Sequence, residues 1–373
     1  MNDFGKRIVS LLLIALIAVL SAACGKSDDK TYSADISTAE STSQTQGDDE
    51  LQEKLEKKMK EYGFSGVFRV SKNGKVICEG ANGSFHFDSG DPITLDNLFP
   101  IASVSKQFCA ACILLLREEG KLDLSNTLDK YYPEYARAKD ITLSQMLSMR
   151  SGITDYVSNG AQFDSYIQYD FSENATEKGN HQAVRDWIFA QPLLFEPGES
   201  FSYSDSNYFL LAEIVERLSG KSYGEVLRER IFRPLGMNDT GVAEEFARSE
   251  RMVPPVDDGT SHKEIYTIGA TFGNGGIITT AADMDKWLTS LREYTILSED
   301  CIREMTTDYS PEAHYGYGIC VNTDGSLSHE GGADSYASFA YTIPEKGYNL
   351  FIVTNYADSA FSEMVHEIMN DTL

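Results

Sequence analysis

Phe99-Pro100-Ile101-Ala102-Ser103-Val104-Ser105-Lys106, continuing into an apolar run that reaches Leu116, is the stretch on which the reading of this chain turns. A serine and a lysine stand three residues apart where a helix is expected to begin. Residues i and i+3 share one helix face, so the Ser103 hydroxyl and the Lys106 ammonium should point into the same space. A serine is a poor nucleophile until a neighbour takes its proton, and a desolvated lysine can help to do so. The first backbone N–H groups of such a helix also favour a developing alkoxide. The rest of the chain is expected to build a cleft around this pair.

Working outward, the flanking sequence divides into strands at both ends and helices between. Residues 65–79 read as a hairpin, with Asn73-Gly74 as its turn. Leu51, Leu55 and Met59 give helical spacing over 50–62, and a third short strand is expected near 83–87. The helix from Val104 should stop at Gly120. Between 122 and 300 the helical pattern dominates, with helices expected over 141–147, 208–218, 223–232 and 280–291, and polar loops at 157–180 and 244–268. Strands return at 315–321, 335–343 and 349–354, and 359–369 closes the chain as a helix. The expected fold is α+β: an antiparallel sheet flanked by terminal helices (about 50–120 and 301–373), plus a largely helical second lobe (about 121–300). A cleft between lobes is the expected place for a site.

Composition bounds the partners. With 373 residues and 42% hydrophobic content the chain can bury a large core. Its formal net charge of -25 disfavours nucleic acid and other polyanions. Lys6 and Arg7, an apolar run over 11–20 and Ser21-Ala22-Ala23-Cys24 follow the order of a secretory signal, too short to span a bilayer, which needs about 20 residues. Cysteine directly after small residues resembles a bacterial lipoprotein signal. It implies removal of 1–23 and lipidation of Cys24, although Ser21 stands where Leu is usual. Residues 24–49 are polar and lack large apolar side chains, so they read as a disordered tether to a folded domain over 50–373. The expected setting is extracytoplasmic, with membrane contact only through that lipid, or secretion if Cys24 is not lipidated. Cys109 and Cys112 match C-x-x-C but lie inside an apolar helix, where free cysteine acts as a small core residue.

S-x-x-K occurs twice, at Ser27 and at Ser103, and only the second has a helix to hold it. Two distant segments single it out: Tyr203-Ser204-Asp205-Ser206-Asn207, leading into a helix, and His329-Glu330-Gly331-Gly332, beside the C-terminal strands. Taken in order, Ser103-x-x-Lys106, Tyr203-x-Asp205 and His329-x-Gly331 make the chain from about residue 50 onward similar to the serine-acylating family of class C β-lactamases, DD-carboxypeptidases and related esterases and aminopeptidases. Supporting matches are Leu147 to Ile153, Pro234-Leu235-Gly236-Met237 and the segment from Gly273 to Asp283.

The resemblance implies a serine hydrolase that works through a Ser103 acyl-enzyme, without metal or cofactor. Its expected substrates are D-amino-acid peptides, β-lactams or small esters and amides, and it is expected to act as a monomer. A penicillin-binding or sensor protein with little turnover is the alternative. Lys106 and Tyr203 would share the proton work, with Lys106 lowering the Tyr203 pKa. Asp205, His329, Gly331 and Gly332 would bind substrate, and the N–H groups of Ser103 and Gly332 would form the oxyanion hole. Asp205 stands where the family often has Asn; it could accept from Lys106 and hold it protonated. Met149-Arg150 replaces a common His-Thr pair, and Ser335 a glycine. Each residue also has a purely structural reading: Ser103 as a helix N-cap, Lys106 as an exposed first-turn lysine, Tyr203 at the core edge, His329 in a solvated loop.

Overall fold

A computed structural model of the chain describes residues 40–85, 90–159, 177–246, 249–257, 260–261, 271–333, 335–357 and 359–372. The expected signal, Cys24 and most of the tether fall outside these residues, as does much of the two polar loops. The main sheet contains β1 (Gly66–Lys72), β2 (Lys75–Asn82), β3 (Cys320–Val321), β4 (Leu327–Ala333), β5 (Tyr336–Ile343) and β6 (Tyr348–Thr354). The principal helices are α1 (Glu40–Glu61), α2 (Lys106–Glu118), α3 (Leu143–Leu147), α4 (Glu177–Ala190), α5 (Asp205–Ser219), α6 (Tyr223–Leu227), α7 (Ala281–Glu293), α8 (Glu299–Met305) and α9 (Ser359–Thr372).

The sheet is antiparallel throughout, in the order β2-β1-β6-β5-β4-β3. The β1–β2 hairpin turns on Asn73 (φ 52) and Gly74 (φ 76), the left-handed pair that a tight two-residue turn requires. Alternation then sorts the strands. Phe68, Val70, Phe339, Tyr341, Leu350 and Ile352 face α1 and α9, where Leu55, Met59, Met364 and Ile368 complete a second core. Lys58 and Glu367 tie the two terminal helices together at 2.5 Å. Val67, Ala340, Phe351 and Val353 face the other way, into the main core.

α2 is buried along 106–116, as its unbroken apolar run from Phe108 to Leu116 requires, with Lys106 and Gln107 buried at its start. It packs beside α5 and against Trp287 of α7, whose ring centroid lies 4.3 Å from that of Phe108. Cys109 and Cys112 are buried free thiols in this core; burial pushes Cys109 up to about 12 and Cys112 well above its ordinary value, which suits the packing role. Gly220-Lys221-Ser222-Tyr223-Gly224, a nucleophile-elbow pattern in form, is a helix–helix turn. Gly220 (φ 70) ends α5, and Ser222 and Glu225 form the capping box of α6.

Several elements differ from the sequence reading. α1 begins at Glu40, inside the stretch read as tether. A single bridge, Ser84 to Pro92, stands at the expected third strand. α4 occupies part of the expected loop at 157–180. The strand expected over 315–321 shrinks to Cys320–Val321, because Gly318 (φ 70) turns the chain sharply before it. In its place Leu327–Ala333 forms a full strand despite Gly331-Gly332, because strand β4 passes hard against the Ser103 segment. A Cβ at Gly331 would lie 2.2 Å from the Ile101 carbonyl oxygen. α7, within the stretch read as helical lobe, packs on the sheet instead: the Asp285 carboxylate accepts from Ser71 at 2.5 Å and from Asn349 at 2.8 Å.

Candidate active site

Two independent elements, one on each side, fix the turn that carries Ser103. Phe99–Pro100 pairs with Ile277–Thr279 as a short strand, and Ile101 donates to the Ile277 carbonyl at 3.0 Å. The Ser105 hydroxyl returns the contact, accepting from the Ile277 N–H at 3.1 Å. From the main sheet, Ser338 of β5 donates to the Ile101 carbonyl at 2.8 Å. Ala102 is held at φ 46, a left-handed conformation unusual for a residue with a side chain, and Ala102–Ser105 then forms one tight 3-10 turn into α2. This strained turn, pinned from both sides, presents the Ser103 hydroxyl instead of using it as a cap; the residue before the turn is Ile101.

Lys106 is fully buried, not an exposed first-turn lysine. Its ammonium donates to Ser103 Oγ at 3.0 Å, to Asp205 Oδ1 at 2.5 Å and to the Asn274 carbonyl at 2.9 Å. Those contacts use all three of its hydrogens. The ammonium also lies 4.8 Å from the centroid of the Tyr203 ring and 5.9 Å from that of Tyr208. Asp205 and Tyr203 come to the site at the start of α5, the helix that packs against α2.

Tyr203 has a buried hydroxyl with no hydrogen-bond partner among the described residues. Burial, and then the Asp205 carboxylate, push its pKa well above the ordinary tyrosine value, with Ser103 pulling weakly the other way. The expectation that Lys106 would lower it is therefore corrected. The cation is paired with Asp205, so Tyr203 is a neutral phenol, suited to give a proton rather than take one.

His329 on β4 is buried, and both its ring nitrogens are occupied. Nδ1 lies 2.6 Å from the Glu330 carbonyl oxygen and Nε2 lies 3.0 Å from the Tyr315 hydroxyl. A carbonyl only accepts, so Nδ1 carries the hydrogen and Tyr315 donates to Nε2. Burial and the Lys106 cation press the His329 pKa down to about 3. It is a neutral wall residue, and neither ring nitrogen is left for the substrate-binding role that the resemblance implied. Next to it, Gly331 backs onto Ile101 and Gly332 is exposed. β3 pairs only with Leu327 and Ser328, so it leaves the outer edge of β4 beyond Ser328 uncovered by strand.

Three residues that the sequence reading did not single out complete the site. Asn274 supplies the carbonyl that holds Lys106, and its side chain accepts from Tyr156 at 3.1 Å. Tyr315 fixes the His329 tautomer and meets Tyr203 edge-on, at 85° with centroids 6.2 Å apart. Asp155 is buried, and its carboxylate accepts from the N–H of Asp205 at 2.8 Å and of Ser158 at 2.8 Å. It caps the start of α5, where Ser204 makes no side-chain cap. Burial, and then the Asp205 charge, raise the Asp155 pKa to about 6. Asn207, which could have supplied an amide, is turned inward onto Ser151 and the Ser204 carbonyl.

The arrangement is a hydroxyl nucleophile touching a buried lysine, with a neutral phenol and an open strand edge beside it. Comparisons with known proteins agree with that chemistry. A family model described as Beta-lactamase matches residues 51–368. The PbpX protein of Bacillus subtilis (strain 168) is 26% identical over 365 residues, covering 89% of this chain and 84% of its own. The teichoic acid D-alanine hydrolase of Staphylococcus aureus is 25% identical over 272 residues, covering 71% of this chain and 64% of that protein. Among solved structures, the octameric penicillin-binding protein homologue of Pyrococcus abyssi superposes with a TM-score of 0.72 at 26% identity. The match covers 86% of this chain and 76% of that one.

Proposed function

The chain belongs to the β-lactamase family of serine hydrolases, and from that premise we propose that it hydrolyses D-aminoacyl esters, amides or peptides at the cell surface through an acyl-enzyme on Ser103. The observation that carries this reading is the 3.0 Å contact between Lys106 Nζ and Ser103 Oγ inside a buried network. The D-alanine in the activity of the Staphylococcus aureus relative supports D-alanyl substrates. The lipoprotein-like sequence ending at Cys24 supports the location.

The contacts around Lys106 support the following proton steps. Lys106 passes a proton across 2.5 Å to Asp205 and, as a neutral amine, takes the Ser103 proton. Ser103 Oγ bonds to the substrate carbonyl carbon, whose oxygen turns toward the N–H groups of Ser103 and Gly332. Tyr203, kept neutral by burial, protonates the leaving alcohol or amine and recovers its proton from the lysine. Water then attacks the ester at Ser103 by the reverse path, releasing the acid and restoring the serine.

The test is direct. The full chain is incubated with a D-alanyl ester, a D-Ala-D-Ala peptide and a β-lactam, and turnover and intact mass are followed, with Ser103→Ala beside it. Turnover, or a mass adduct lost in Ser103→Ala, is expected. No adduct and no turnover with any of the three overturns the enzyme reading; turnover that survives in Ser103→Ala overturns the nucleophile. A second reading, binding with little turnover, is favoured by the tight hold of Asp205 on Lys106, and it would show as an adduct that persists.

A further inference from the structure

We propose that this site selects substrates bearing a free ammonium on the acyl side of the scissile bond, in the manner of an aminoacyl ester or amide, and rejects those presenting a carboxylate there. The proposal rests on the acyl-enzyme reading above and deepens it.

The argument begins with what the site cannot do. A carboxylate is usually held by a free cationic donor. Among the described residues bonded to this cluster, Lys106 is the single cation, and its hydrogens go to Ser103, Asp205 and Asn274. His329 is neutral, with Nδ1 on the Glu330 carbonyl and Nε2 on Tyr315. Neither wall offers a positive donor to an incoming anion.

Charge then tips the balance further. Asp205 neutralises Lys106, and Asp155 stands directly behind Asp205 as a second buried carboxylate. Asp155 holds its place through backbone N–H groups of Asp205 and Ser158, which carry no net charge. Its proton affinity is raised only to about 6, so at neutral pH the group is mostly ionised and the cluster carries an excess negative charge. In a poorly solvated cleft such an excess attracts a cation and repels an anion much more strongly than it would in water. The buried, unpartnered Tyr203 hydroxyl remains as a neutral donor for the substrate.

The test uses three D-alanyl p-nitroanilides that differ in the group carried by the α-nitrogen: the free amine (cationic), the N-acetyl (neutral) and the N-succinyl derivative (anionic through its terminal carboxylate), assayed with the full chain. We expect kcat/KM to fall in that order, at least tenfold from ammonium to N-acetyl and further to the N-succinyl anion. Asp155→Asn should compress the ammonium-to-acetyl ratio at least threefold. Turnover in which the neutral or anionic substrate equals the ammonium overturns the proposal while leaving the hydrolase reading intact. If none of the three is turned over or acylates Ser103, this inference falls, and the ester, peptide and β-lactam assay above decides separately whether the hydrolase reading stands. The wild-type series decides the point even if Asp155→Asn does not fold.

Discussion

Lys106 Nζ and Asp205 Oδ1 lie 2.5 Å apart at the junction of α2 and α5, with the lysine fully buried and the aspartate nearly so. This pair does two things at once. It orients the amine toward Ser103, and it neutralises a carboxylate that already has Asp155 behind it. Breaking one half of such a pair strands the other half in a site that water barely reaches.

Lys106→Met should therefore cost stability as well as activity. The expected loss is about 3–5 kcal/mol in urea unfolding, because Asp205 is left charged beside Asp155. Lys106→Met combined with Asp205→Asn should recover most of that loss while remaining inactive. Equal destabilisation of the single and double variants would show that the pair is not electrostatically coupled.

Tyr203→Phe should separate catalysis from folding. The hydroxyl has no hydrogen-bond partner within reach among the described residues, so its removal orphans none of them. Unfolding midpoints should match the wild type. Activity should fall by about 10²–10⁴, the usual contribution of a general acid or base. A variant with full turnover would remove Tyr203 from the proton path.

Tyr315→Phe should act through His329. Nε2 would lose its donor in a buried setting, at a cost of about 1–3 kcal/mol. In the wild type the ring should stay neutral with hydrogen on Nδ1, as ¹⁵N spectra can read. Native His329 protonates only near 3 against an ordinary 6.5, so the unfolded chain binds the extra proton between those values. Its contribution to stability is present above pH 6.5 and is lost as pH falls toward 3. A protonated ring at pH 6 would contradict this assignment.

Asp155 should show the opposite slope. Its native pKa of about 6 lies above the ordinary 3.8, so the native state holds a proton that the unfolded chain has released between those values. The cost of its charge is absent below pH 3.8 and complete above pH 6, so this group weakens the fold as pH rises. Asp155→Asn should gain about 1–3 kcal/mol relative to the wild type between pH 4 and pH 8. A pH-independent difference would mean that Asp155 carries no excess charge.

Much of this site was legible because its chemistry is written in short local patterns. Ser103 and Lys106 are spaced by a helical turn, and Tyr203 and Asp205 sit at a helix start. The contributions of Asp155, Asn274 and Tyr315 were not legible, since each exists only through tertiary approach. Asp155 acts by receiving a backbone N–H that lies 50 residues away in sequence. Asn274 acts through its carbonyl, which every residue has. His329 was found as a position, but its role was misread, because the Tyr315 contact that uses Nε2 leaves no mark in the sequence. The glycines of β4 were placed beside the C-terminal strands, not within one. Their reason is the Ile101 oxygen pressed against the strand, which only the folded chain reveals.

The strand order has a consequence for how the protein is made. β6 sits in the middle of the sheet, yet its neighbour β1 belongs to the opposite end of the chain; the Ser65–Asn355 hydrogen bond beside them joins residues 290 positions apart. A ribosome delivers β1 and Ser103 long before β4, β5 and β6 appear. Until they do, Ile101 lacks Ser338, the strand edge beside Ser103 does not exist, and the hairpin waits with an open side. The turn that carries Ser103 is thus made before the sheet that pins it, and it is held from both sides only when the late strands slot beside the early ones.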